Sequence, residues 1–582
     1  MDTPVYKSLK LGRVVEYETI FPNSQRPDIS ACMRGFSREH LIGGLIVNLI
    51  NKLVNKPFYN PNYHGGQEDI DVLRFYLSGA NVDVIRHSII ALQETAYREN
   101  RAIQSFLGAT EETALCLLRE IMAMEGEGGQ KPIREIEQDY YKALLVANSL
   151  TINKGYGEIP YQTDDIELYL ASCFLTQFGS ADFIYNNKHL LLLTQTVKCI
   201  RFFEYAVRDE MLNPLVDDFC HYYGITNWWL YPKAFWSVYA ITDGKAGIIN
   251  MENLVFEEAV QYLAVINKSS IPCYAVVSKE QNVDYTAFRA KPLLKLADSE
   301  FVVFNIQFII ERIYTGLYFD FRTFAENRGV SRSDFKRHFS TDFSEHTLFC
   351  DALKQSMKNH FEVLMTEDDC KKADVSKDAD QASPPDFYAR KGDVVLLFEN
   401  KDILLSQDTK EAGTVSAYID FLRTRLYQNE KGKPKGVVQL LNLVGKIRSG
   451  EFQKRWDSEC PTDAVVYPVL IVPEAKFTMF GVKNFLQRWQ KESEVSNENV
   501  RPVALADIGT ICLYQHEFAK KGILSYLDEY YEQSDFKQLD KSRSMDDVPN
   551  AMMSFTDYLC HNHNDTLSLF GEEWEKYLRM GE

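Results

Sequence analysis

The chain has no Cys-x-x-Cys pair; its eleven cysteines are scattered singly along 582 residues. That spacing excludes a zinc knuckle or a disulfide framework and reads as reduced, mostly buried thiols in a cytosolic, cytoplasmic protein. No apolar run is long enough to span a bilayer, and the opening Met1-Asp2-Thr3-Pro4-Val5-Tyr6-Lys7 lacks a basic-then-apolar export pattern, so no membrane partner is expected. Excess positive charge is missing too: 64 Lys and Arg stand against 82 Asp and Glu, a net charge of −18. This excludes a protein held on nucleic acid by bulk charge, so any such contact must come from a local basic patch. There is no Walker A loop. Gly126-Glu127-Gly128-Gly129-Gln130-Lys131-Pro132 is glycine-rich but lacks the spacing and the Ser/Thr that would hold Mg²⁺, and reads as a loop.

What is present is ordinary for a soluble globular protein, with 45% hydrophobic and 25% charged residues. The length exceeds one core and implies about three domains. Up to residue 132 the apolar spacing is mostly helical. Ile70, Leu73, Tyr76 and Leu77 form one stripe and Val84, Ile85, Ile89 and Leu92 another. Ser37 is placed to cap a helix over Leu41 to Val54, and Thr110-Glu111-Glu112-Thr113 opens another with acidic residues in its first turn. Val14 to Ile20 alternates weakly, as a strand would. Asn60 to Gly66 reads as a loop. Residues 133–332 form a second helical region, rich in aromatics. Tyr222 to Trp236 is its densest cluster, assigned to core or interdomain packing rather than base stacking because only Lys233 interleaves. Ile271 to Val277 and Phe301 to Phe304 are candidate strands or helix ends.

The stretch Pro385-Asp386-Phe387-Tyr388-Ala389-Arg390-Lys391-Gly392-Asp393-Val394-Val395-Leu396-Leu397-Phe398-Glu399-Asn400-Lys401 carries the chemistry. Val394 to Phe398 is an unbroken apolar run, as in a strand buried on both faces. Gly392-Asp393 suits a two-residue type II′ turn. That turn sets Lys391 against Val394, Phe387 against Phe398 and Asp386 against Glu399, with facing Cβ atoms roughly 4.5–5.5 Å apart. Lys401 projects to the same face as Glu399. Two carboxylates at that distance repel unless a hard cation such as Mg²⁺ sits between them, and a lysine beside them can act on a metal-activated water or on developing negative charge.

Pro385-Asp386, the turn, and Glu399-Asn400-Lys401 resemble the PD-(D/E)XK nuclease superfamily, the restriction-endonuclease-like fold. The resemblance covers about residues 335 to 530. It implies a Mg²⁺- or Mn²⁺-dependent endonuclease acting on nucleic acid, DNA first, with Asp386 and Glu399 as metal ligands and Lys401 as the catalytic lysine. Its first helix often offers an acidic residue: Glu345 is the candidate, Glu362 the competitor, and a simple first-turn dipole partner the plain alternative for Glu345. Gln439 resembles the polar residue often found near the lysine, and Tyr388 would line the site. The implied architecture is a mostly helical N-terminal half followed by an α/β domain with a mixed central sheet. A restriction or phage-defence nuclease with an N-terminal sensing or recruitment region is the role such an arrangement resembles.

The rest of this region supplies suitable elements. Phe343 begins a helix running toward Leu364, and Thr366 to Pro384 reads as a flexible loop. Thr414 to Gln428 and Val437 to Val444 read as helices, Ala464 to Val472 and Val503 to Ala506 as strands, Phe480 to Gln490 and Ile508 to Phe518 as helices. Lys431, Lys433, Lys435, Lys446 and Arg448, with Lys454 and Arg455, make a local basic excess that either holds phosphates or is a solvated basic face. Cys560-His561-Asn562-His563 lacks zinc spacing and reads as a helix-end cluster. Trp574, Tyr577 and Leu578 suggest a final docking helix. The expected domains are therefore 1–132, 133–332, a nuclease-like domain at 333–540 and a tail at 541–582. Two rivals remain. One is a non-catalytic scaffold, with a protein partner or a second copy bound through the helical N-terminal half. The other is a nuclease-like fold that only binds nucleic acid.

Overall fold

The computed structural model describes residues 13–563 apart from 54–74, 78–79, 101–102, 104–105, 125–132, 153–164, 176–187, 253–257, 375–382, 413, 494–498 and 538–546. The glycine-rich loop at 126–132, the loop at 60–66, the stripe residues Ile70 and Leu73, and Trp574, Tyr577 and Leu578 lie outside the described residues. No described helix is long and apolar enough to cross a membrane.

The N-terminal half is mostly helical. Thr110 caps α1 (Glu111–Ala123) in a reciprocal capping box with Thr113, and α1 packs with α2 (Ile133–Ile152). Ser37 accepts the His40 N–H at 3.3 Å and opens the helical run to Leu53, which has a π-helical middle at Ile42–Val47. Of the strand expected at Val14 to Ile20, only Arg13–Val14 (β1) extends, pairing in parallel with Phe106–Leu107 (β2). Tyr17–Ile20 is a helical turn. Its two buried residues, Tyr17 and Ile20, are three apart, a helical spacing that overrides the weak alternation.

A four-stranded sheet follows, ordered β3 (Gly247–Asn250), β6 (Glu300–Val303), β5 (Leu293–Lys295) and β4 (Ser270–Pro272). Of the segments left open between strand and helix, it contains Phe301 to Val303 and only the first two residues of the other, Ile271 and Pro272; Cys273 to Val277 is turn and irregular chain. One face (Ile271, Leu294, Val302) joins the core of the first 150 residues. The other (Leu293, Phe301, Val303) joins a second core. The aromatic cluster is packing, as expected. Tyr223, Tyr231 and Phe235 are buried, and Trp228 stacks on Phe203 at 4.8 Å between centroids.

The C-terminal half is built on a five-stranded mixed sheet ordered β7 (Val363–Thr366), β8 (Phe387–Lys391), β9 (Val394–Asn400), β10 (Val465–Val472) and β11 (Ala504–Asp507). The first three strands form an antiparallel meander, and β9, β10 and β11 run parallel. The parallel strands are buried on both faces, which explains their unbroken apolar sequences. Phe387, Leu396, Phe398, Val469 and Ala504 face a core that begins at Leu191 in α3 (Lys188–Ala206) and ends at Leu559, running across residue 332. Tyr388, Val395, Leu397, Leu470 and Leu505 face a third core closed by α4 (Val415–Leu426), α5 (Gly436–Ser449) and α6 (Val482–Lys491). The helix α7 (Ile508–Lys521) covers the first face.

In the flexible loop expected from Thr366 to Pro384, the described residues include a helix. Thr366 ends β7 and caps the helix Glu367–Ala373, bonding reciprocally with Asp369. With Cys370 its sole buried residue, this helix has no apolar stripe to read. Three carboxylates in its first turn, favoured by the helix dipole, hold it instead.

Candidate active site

The hairpin forms in the expected register. Lys391 pairs with Val394 and Phe387 with Phe398. Gly392 has φ +56° and Asp393 does not have positive φ, as a type II′ turn requires. One step beyond the last paired residues, Asp386 comes opposite Glu399. Asp386 Oδ2 accepts the Asn400 N–H at 2.7 Å, which holds its carboxylate at the end of β9. Glu399 is 2% exposed. The Lys401 ammonium donates to the Glu399 carboxylate. The Lys401 N–H donates to Ile471 O at 2.9 Å, fastening the lysine to β10.

Two further carboxylates converge here. Glu345 lies on a long π-helical stretch, Arg337–Cys350, and not on an ordinary α-helical first turn. Glu367 opens the short helix after β7, and its N–H donates to Asp386 O at 3.1 Å. Glu345, Glu367 and Asp386 each offer an oxygen within 4.8 Å of the others, close enough to share one cation. Glu367 was not among the residues expected at the site. The signal was Glu367-Asp368-Asp369 directly after a short apolar run, and its polarity reads as loop unless Thr366 is recognised as a cap.

Electrostatics mark this end of the sheet as overloaded with negative charge. Burial, then the neighbouring Asp386 and Glu367 carboxylates, push Glu345 above the ordinary glutamate value. Burial pushes Asp386 up, opposed by Lys401 and the Asn400 N–H. Burial and then Asp386 push Glu399 up, again opposed by Lys401. Lys371 neutralises part of the cluster through Glu367 at 2.7 Å. A donor set of carboxylate oxygens, held by three separate elements, is chemically suited to Mg²⁺ or Mn²⁺.

Other expected residues stand elsewhere. Glu362 accepts from Arg390 at 3.1 Å at the turn end of the hairpin, so it does not compete with Glu345. Tyr388 does not line the carboxylate cluster: it is buried against Phe452, and its hydroxyl donates to Asp457 at 2.9 Å. Gln439 lies on α5, which packs on β9, and its amide oxygen is buried with no hydrogen-bond partner among the described residues. Two members of the basic segment are structural. Lys446 donates to Ser383 O at 3.4 Å and lies over the Trp456 ring. Arg448 clamps the carbonyls of Thr462 and Ala464 at 2.7 and 2.8 Å, fixing the entry to β10. Lys431 and Lys433 are exposed on the turn between α4 and α5, and Lys435 is half-buried.

The terminal cluster is not arranged as a metal site: Cys560 is buried, while His563 meets the Tyr558 hydroxyl at 3.2 Å and the Glu529 carboxylate at 3.6 Å. All eleven cysteines are free thiols. Comparison of the chain with protein-family models, with curated proteins and with solved structures returns no match.

Proposed function

We propose that this protein is a divalent-metal-dependent nuclease that hydrolyses phosphodiester bonds of nucleic acid, with DNA as the first expected substrate. One observation carries the reading: the hairpin register brings Asp386 beside Glu399 and Lys401 at the open end of a mixed sheet. The antiparallel meander followed by two parallel strands, preceded by a helical segment bearing an acid, agrees with the restriction-endonuclease-like arrangement that the resemblance implies.

Asp386 and Glu399 would hold the ion, with Glu345 and Glu367 completing its oxygen donors. A bound Mg²⁺ or Mn²⁺ supplies Lewis acidity and neutralises charge that four carboxylates would otherwise direct at an anionic substrate. The Asn400 N–H fixes the orientation of Asp386. Lys401, anchored through its own N–H to β10, presents an ammonium beside the ligands, where negative charge on the phosphoryl oxygens grows during hydrolysis. That ammonium is paired with Glu399, which holds it beside the ligands.

The test is cleavage of plasmid, linear duplex, single-stranded DNA and RNA with Mg²⁺ or Mn²⁺, comparing wild type with Lys401→Ala and with EDTA. Cleavage by wild type alone, abolished by EDTA, supports the reading and gives the substrate preference. Equal products from both proteins would trace the activity to another site or a contaminant, and no product from either would favour a non-catalytic scaffold.

A further inference from the structure

The helix α3 belongs to the helical half, yet it reaches the end of the sheet that carries Lys401. Its approach is close: a Cβ on Gly509, at the start of α7, would come within 2.7 Å of the Thr194 Cβ. One turn further along the same face of α3 stands Lys198, only 2% exposed. Its ammonium donates to Pro473 O at 3.3 Å and lies 5.0 Å from the centre of the Tyr314 ring. Pro473 is the first residue past β10.

This contact is two residues from the site machinery. Ile471 O, two residues before Pro473, accepts the Lys401 N–H. Ile471 is also in register with Asn400, whose N–H holds the Asp386 carboxylate. The ladder ends here, so a carbonyl beyond it needs a partner from outside the sheet. A lysine is a costly way to supply one, because its ammonium must leave water; an apolar side chain would pack the same space more cheaply. Asp507 and Glu474 offset part of that cost, and burial lowers the ammonium below the usual lysine value.

We propose that Lys198 is a positioning residue: by holding the Pro473 carbonyl it fixes the end of β10, and through β10 the placement of Lys401 and of the Asn400 N–H that orients Asp386. The helical half therefore shapes the catalytic edge through this ammonium as well as by apolar packing. The assignment rests on the nuclease reading of that edge.

The experiment uses the full chain and the variant Lys198→Met, which keeps the length of the side chain and removes the donor. Amide hydrogen exchange at Lys401 reports the bond to Ile471 directly, and steady-state cleavage with Mn²⁺ reports its consequence. The expected result is at least tenfold faster exchange at Lys401. It is accompanied by at least a tenfold fall in kcat, with KM, Mn²⁺ affinity and melting temperature close to wild type. Lys198→Arg keeps a donor and is expected to recover part of kcat, a rescue that loss of packing would not show. Wild-type exchange and wild-type kcat in Lys198→Met would overturn the positioning role while leaving the nuclease reading intact. Global loss of protection with a lowered melting temperature would overturn it in favour of plain packing. A wild-type protein that cleaves no substrate would overturn the nuclease reading and the positioning role with it.

Discussion

The two ends of the β8–β9 hairpin pose the same problem and solve it differently. At the turn end, Arg390 is 4% exposed and donates to Asp457 at 2.6 Å, Glu362 at 3.1 Å and Glu459 at 3.1 Å, while Tyr388 adds its hydroxyl to Asp457. The buried carboxylate there is answered by a fixed guanidinium, and two of the three acids stay largely in water. At the open end, Glu345, Glu367 and Asp386 cluster beside Glu399, with the Lys401 ammonium bonded to Glu399 and the half-exposed Lys371 to Glu367. Three of those four carboxylates are pushed above their ordinary values. A protein that needed only stability could have placed a second arginine at the open end. The difference teaches that charge less fully compensated beside charge well compensated, on the same two strands, is what supports the proposed metal site at the open end.

The comparison breaks most plainly under mutation of the open end. Lys401→Ala and Asp386→Ala should each lower kcat by on the order of 10²–10³-fold, the cost of removing a preorganised charge from a reacting centre. The melting temperature of Asp386→Ala should stay near wild type, whereas Lys401→Ala leaves the buried Glu399 without its cation and should also lose stability, so its activity is read per folded protein. Stopped-time cleavage assays on the preferred substrate, paired with thermal denaturation, check both halves. A fall in activity that merely tracks a fall in folded protein would erase the distinction between the two ends.

Arg390→Ala should behave oppositely. It leaves Asp457 buried without its cation, and breaking a buried pair from one side costs roughly 3–5 kcal/mol. Urea denaturation should show that loss, whereas Mn²⁺ affinity of the folded fraction should not change.

A smaller effect sharpens the contrast through pH. The folded protein holds the Glu345, Asp386 and Glu399 carboxyls above their unfolded values. Above the ordinary carboxylate range, the folded state therefore binds more protons than the unfolded chain. The contribution of these three carboxyls to the stability of the metal-free protein must fall as pH rises through that window and level off once the raised values are passed. A cation replaces those protons, so the rise in melting temperature given by Mn²⁺ should grow from pH 5.5 to pH 8. Asp386→Asn removes one like charge and should stabilise the metal-free protein at pH 8 by roughly 0.5–1 kcal/mol, while weakening the response to Mn²⁺. Wild type and Asp386→Asn whose stabilities without metal ran parallel from pH 5.5 to pH 8 would contradict the assignment.

How much of this was legible depended on how local the cause was. The hairpin register follows from Gly392-Asp393 and an apolar run with one possible pairing, so Asp386, Glu399 and Lys401 could be brought together from residue order. The parallel strands were legible because burial on both faces leaves an unbroken apolar signature. Glu367 was not, since its helix is held by a cap and by first-turn charges rather than by an apolar stripe. Glu362 and Glu345 looked interchangeable because sequence distance from a strand does not say which end of it a residue reaches. Lys446 and Arg448 looked like surface charge because their acceptors, the carbonyls of Ser383, Thr462 and Ala464, carry no side-chain signature at all. Long-range contacts to backbone are the least readable interactions in a sequence, and Lys198 with Pro473 is a further instance.

The basic turn gives the smallest expected effect and the finest test of the contrast. Lys431 and Lys433 are exposed between α4 and α5, whereas Lys446 and Arg448 are committed to holding loops. Only uncommitted cations can release counterions from a phosphate backbone. Lys431→Ala and Lys433→Ala should each weaken substrate binding about uniformly across sequences and reduce the slope of log K against log salt by about 1. Arg448→Ala should leave that slope unchanged and lower stability instead, because its loss frees the entry to β10. Fluorescence anisotropy over a salt titration, with Ca²⁺ in place of Mg²⁺ to suppress cleavage, separates the two outcomes. If all three variants gave the same slope as wild type, the turn would be a solvated face, and the phosphates would have to be held by cations elsewhere on this acidic protein.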